Sequence, residues 1–74
     1  MNTIGTVVWV DKTRGMFKVR CENGRTALVE IQDYIDIELQ DTISGDLMNT
    51  SEETVSLYSA DHNENFEALI QNLE

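Results

Sequence analysis

Apolar and polar positions alternate along most of the first thirty residues. Thr3 to Val10 (Thr-Ile-Gly-Thr-Val-Val-Trp-Val) is rich in β-branched and aromatic residues and reads as a first strand. Asp11 to Gly15 supplies a turn, with Gly15 suited to positive φ. Met16 to Cys21 then alternates strictly, with Phe17, Val19 and Cys21 on one face and Met16, Lys18 and Arg20 on the other. Asn23-Gly24 marks a hairpin. A third strand follows over Thr26 to Ile31, placing Ala27, Val29 and Ile31 opposite Thr26, Leu28 and Glu30. Ile35, Ile37 and Leu39 alternate with Asp36, Glu38 and Gln40, and residues 42–48 and 54–58 read as two further strands around a loop at 49–53.

The period changes at the C-terminus. Phe66, Leu69, Ile70 and Leu73 fall at i, i+3, i+4 and i+7, one stripe of an amphipathic helix. Asp61 with Glu64 forms a candidate capping box, and Asn63 is an alternative N-cap. So short a helix is marginal alone in water and must dock its stripe, on an open end of its own barrel or, as the alternative, on a partner or a second copy. The expected architecture is therefore all-β: a small five-stranded Greek-key barrel of the OB type over residues 1–60, with a short C-terminal amphipathic helix over 61–74. An SH3-like barrel is the alternative.

Seventy-four residues make one domain, which buries only about 60% of its unfolded surface and leaves little room for a deep pocket. Cys21, the only cysteine, reads as a core thiol beside Phe17 and Val19. With no secretory pattern at Met1 to Gly5 and no apolar run of membrane-spanning length, the chain is expected to be soluble and cytoplasmic, with no membrane partner.

Charge divides the chain sharply. All five basic residues, Lys12, Arg14, Lys18, Arg20 and Arg25, lie within residues 12–25, whereas residues 31–74 hold eleven carboxylates and no Lys or Arg. The total is −9. An anionic ligand must therefore be met by the first third of the chain, while the acidic 31–74 region would steer a basic protein partner. Nothing resembles a nucleophile elbow, a triad or a cofactor motif, and the chain is read as a non-enzyme without cofactor. Asp61-His62-Asn63-Glu64 offers ligand atoms, but consecutive residues at a helix start do not converge on one metal.

Gly5-Thr6-Val7, Met16-Phe17-Lys18-Val19 and Glu22-Asn23-Gly24 resemble bacterial translation initiation factor one, a small S1-like OB-fold protein, and the similarity continues through Tyr34-Ile35-Asp36-Ile37 and Asp41-Thr42-Ile43. That family binds ribosomal RNA with cations after its third strand. Here Gln32-Asp33 stands for that loop, Asp36 and Glu38 occupy the next segment, and the C-terminal region is acidic. A weaker similarity links Gly5 to Val10 and Arg14 to Val19 with the cold-shock domain. In that family the residue matching Trp9 stacks on a base, but the positions of its other platforms are here Met16, Lys18, Leu28 and Glu30.

Strict alternation groups Trp9 with Gly5 and Val7, whereas a bulge near Gly5 or Val8 turns it to the other face. Turned outward, Trp9 joins Met16, Lys18, Arg20 and Leu28, with Lys12, Arg14 and Arg25 in the adjoining turns. The functional expectation is a non-catalytic module that binds single-stranded RNA or DNA weakly through this face. The alternative is an acidic protein-interaction or regulatory domain, including a nucleic-acid mimic.

Overall fold

A computed structural model describes residues 2–74. Six antiparallel strands close into a barrel: β1 (Thr3–Asp11), β2 (Met16–Cys21), β3 (Thr26–Ile31), β4 (Thr42–Gly45), β5 (Val55–Ser59) and β6 (Glu64–Leu73), in the order β1-β2-β3-β6-β5-β4 with β4 returning to β1. Two three-stranded meanders, β1–β3 and β4–β6, are thus joined along two seams, β3–β6 and β1–β4. Closure leaves every strand paired on both sides along part of its length, which protects the sheet from edge-to-edge association.

The all-β class and the first three strands follow the sequence expectation, but the strand count and the C-terminus do not. There are six strands rather than five, and the described residues contain no helix. Residues expected as a helix over 61–74 instead form β6, which pairs with both β3 and β5. The reason is a bulge. Phe66, Ala68 and Ile70 point inward with the period of a strand, Gln71 is left out of the register with β3, and Leu73 faces Ala27 on the inner side. A period of two interrupted by one extra residue yields apolar positions at 66, 70 and 73, the spacing of a helical stripe. Leu69, counted in that stripe, lies outside opposite Glu30. The expected capping residues serve a turn: Asp61 accepts a hydrogen bond from the Thr42 amide at 2.7 Å, and Asn63 has φ 55°.

The expected strand at 42–48 shortens to β4 and that at 54–58 moves on by one residue to β5, with Leu47 fully buried beyond β4. Residues 32–41 form a connection across one end of the barrel, where Ile37 is a buried plug and Ile35 packs partly on the core. This connection is tied to β1 by Val7 N–H donating to Asp41 O and Gln40 N–H donating to Val7 O, both at 2.9 Å.

Inside, Phe17 and Phe66 tilt against each other with ring centroids 6.2 Å apart, within the favourable aromatic range of about 4.5–7 Å. Gly5 lets β1 approach β2 closely. A Cβ on Gly5 would lie 2.5 Å from Arg20 O and 2.6 Å from Val19 Cγ1. The β2–β3 hairpin uses Gly24 at φ 86°, with Gly24 N–H donating to Cys21 O and Arg25 N–H donating to Asn23 Oδ1. Only glycine adopts that φ without strain, so the Asn-Gly signal marks the turn correctly.

Candidate functional site

The register of β1 against β2 slips by one residue between Val7 and Trp9. Val7 is fully buried opposite Val19, Val8 is the extra residue, and Trp9 pairs with Lys18 on the outside. Val8 and Trp9 therefore lie next to each other on the surface, 44% and 40% exposed. The cross-strand row then runs Trp9, Lys18, Leu28 and Asn72. One neighbouring row is Asp11, Met16, Glu30 and Leu69, and another contains Thr6, Arg20 and Thr26. Met16, Lys18, Arg20 and Leu28 thus share one outer face, and the bulge at Val8 turns Trp9 to it, one of the two faces its sequence left open.

The cations are less available than their number implies. Lys18 Nζ lies 5.4 Å from the centroid of the Trp9 ring and 3.5 Å from Glu74 Oε2. Arg14 reaches back to Asp11 at 3.7 Å. Lys12 leaves the face altogether, bonding Asp36 and Glu38 at 2.5 Å each across the barrel end. Those two hydrogen bonds raise the Lys12 ammonium above its ordinary value, and the bond from Lys12 holds the Asp36 carboxyl below its own. Among the described residues, no carboxylate pairs with Arg20 or Arg25. Lys12 and Arg14 therefore belong to a separate locus from Trp9, Lys18, Arg20 and Arg25.

Lys12, but not Arg14, borders a cleft of about 170 Å³ between the β1–β2 turn, the end of β3 and the 32–41 connection. Val10, Ile31, Ile35 and Ile37 line it, with Gly15 and Met16 from the turn side. Asp11, Asp33, Asp36 and Lys12 also border it. Asp33 is anchored by the Tyr34 amide at 2.8 Å and by the Glu67 amide at 3.4 Å. Met16 and Asp11 belong both to the cleft and to the outer face, so the two adjoin. The alternation of Ile35 and Ile37 with Asp36 was visible in the sequence. That these residues cross the barrel end was not, because no strand forms there.

A serine–histidine contact was missed. Ser59 Oγ lies 2.9 Å from His62 Nδ1 and accepts from the His62 amide at 3.3 Å. Ser59 is fully buried, so this contact ties down the β5–β6 turn and offers no hydroxyl to a substrate. Cys21 is buried too, and burial first, then the Glu22 charge, raises its thiol. Among the described residues no three His, Cys, Asp or Glu side chains are grouped to hold a metal ion, and no helix is long and apolar enough to cross a membrane.

No protein-family model, curated protein or solved structure matches this chain.

Proposed function

We propose that this chain is a non-catalytic binding module on an OB-like barrel, and that its ligand is another protein, met on the outer face of β1, β2 and β3. The observation that carries this reading is the bulge at Val8, which sets Val8 and Trp9 together on the surface beside Met16 and Leu28. Exposed Trp, Met and Arg are the side chains enriched at the centres of protein interfaces. OB-type barrels present the strand two and three face to their ligands. The charge of −9 raises the encounter rate with a basic protein and opposes approach of a polyanion.

Single-stranded nucleic acid is the second reading, favoured by Arg20 on the Trp9 face and Arg25 in the adjoining turn, which among the described residues carry no ion pair. One stacked base contributes about 1–3 kcal/mol. Three cations at most (Lys18, Arg20 and Arg25) give a salt slope of roughly −2 for a single strand. Such binding is weak at physiological salt.

The deciding experiment has two arms. A photoreactive residue placed at Leu28 crosslinks a protein that Trp9→Ala no longer captures, with capture weakened by salt. In parallel, amide shifts are followed during titration with dT and rU oligomers at low salt. Crosslinking that persists in Trp9→Ala removes the first reading. Saturable shifts at Trp9 and Lys18 with oligomer, without Trp9-dependent crosslinking, replace it by the second.

A further inference from the structure

We infer that the cleft beside the β1–β2 turn receives a lysine side chain of the protein partner, the aliphatic stem between Val10, Ile31 and Ile35 and the ammonium among Asp11, Asp33 and Asp36. This inference rests on the reading of the ligand as a protein and names the side chain that the partner brings to the adjoining cleft. Size and charge select the occupant. About 170 Å³ is below the roughly 300–1,000 Å³ of sites for drug-sized ligands, and holds one extended side chain. The lining places apolar walls together with three carboxylates and one ammonium, a net of two negative charges. An apolar stem carrying a charged tip fits that division, as long basic side chains do when they lie along apolar surface with the head outside.

The molecule already shows the chemistry at this mouth. Lys12, which borders the cleft, holds its ammonium 2.5 Å from both Asp36 and Glu38. A second ammonium would meet Asp33 and share Asp11 with Arg14, which reaches that carboxylate at 3.7 Å; the two carboxylates come from the 32–41 connection and from β1. Three freely rotating N–H donors suit carboxylates drawn from separate segments better than a planar guanidinium fork does. An anion is excluded by the same charges, and a neutral alkyl group would leave the carboxylates without benefit. Met16 borders both surfaces, so a partner seated on Trp9 brings a neighbouring lysine within reach.

The test uses side-chain mimics on the intact chain. Amide shifts are recorded during titration with n-butylammonium, n-butylguanidinium and n-butanol. The expected result is saturable shifts centred on Val10, Gly15, Met16 and Ile35, strongest for n-butylammonium. Asp36→Asn, at an exposed position, weakens that binding, and Lys12→Gln strengthens it, each by about two- to fivefold, the range of one exposed ion pair. Absence of saturable shifts at these amides overturns the inference. So does equal affinity for n-butanol, or tighter binding of n-butylguanidinium. The Trp9 and Lys18 amides are followed in the same titration, and shifts confined to them do not count as cleft binding, so the two readings fail separately. Intact cleft binding without a Trp9-dependent partner removes only the functional reading, and Trp9-dependent capture without cleft binding removes only the inference.

Discussion

The pair Ala68→Lys and Leu69→Lys separates the strand from the helix that the C-terminal spacing imitates. Ala68 is fully buried on the inner face of β6, between Ile31 and Val55 in the pairing, whereas Leu69 lies outside opposite Glu30. A lysine at 68 places an ammonium in a barrel core whose neighbours are apolar. Burial of an unpaired charge belongs to the small class of changes costing about 4 kcal/mol or more. At roughly 0.05–0.15 kcal/mol per residue, a domain of this length has a total stability of about 4–11 kcal/mol, so Ala68→Lys removes from about a third to all of it. Leu69→Lys loses the burial of a half-covered side chain, about 1 kcal/mol. It gains an opposite-charge pair with Glu30, about 0.2–1 kcal/mol. Its melting temperature therefore stays within about 8 °C of the parent, given about 4–8 °C per kcal/mol for a domain this small. Urea and thermal unfolding followed by far-UV circular dichroism and Trp9 fluorescence give both values. On a helix docked through residues 66, 69, 70 and 73 the order reverses, with Leu69→Lys the damaging change. That order would refute the register described for β6.

Three further outcomes follow from the same geometry. Gly5→Ala is destabilising by about 1–3 kcal/mol or more in urea melts, because the new methyl meets Arg20 backbone and the Val19 side chain; a neutral result would show that β1 and β2 are farther apart than described. The Asp36 carboxyl titrates below 3.8 in carbon-detected NMR, and its midpoint returns towards 3.8 in Lys12→Met. Its folded value is depressed, so its contribution to stability is present above pH 3.8 and is lost as pH falls through the folded midpoint. Lys12 has the opposite sign: its raised value gives a contribution present below 10.5 that is lost as pH rises through the folded one. Cys21 reacts with a disulfide reagent only at the rate of opening, since its thiol is buried and raised; prompt reaction in the native protein would contradict that placement.

The elements that were legible are those in which alternation runs without interruption. In β2 and β3 every inward residue expected from the pattern is inward, because one apolar face determines register. Trp9 was legible only as a choice between two faces, since a bulge leaves no composition of its own and Val7-Val8 admits either parity. At β6 the same device was hidden, because Gln71 fills the extra position and restores a helix-like count. The 32–41 connection alternates like a strand, yet Ile37 plugs the barrel end without pairing. The face of Met16, Lys18, Arg20 and Leu28 followed from strands two and three. The removal of Lys12 from it did not, because Asp36 and Glu38 reach it only through that connection.

The two meanders are also the two electrical halves of the chain. The first, through Ile31, carries a small positive balance, and everything after it carries eleven carboxylates and no Lys or Arg. Each meander forms from neighbouring segments, but the seams β1–β4 and β3–β6 join partners about half the chain or more apart and carry most of the loop-closure entropy. Lys12 to Asp36, Lys12 to Glu38 and Lys18 to Glu74 all link the first meander to the acidic remainder. In a barrel only 23 × 23 × 20 Å across, with screening lengths of about 8–10 Å, docking of the second half onto the first is drawn by opposite charge. Until it docks, the second half is held open by its own repulsion. Assembly order is thereby written into charge: the basic meander can form first and stand as the template, and salt slows its capture of the acidic one.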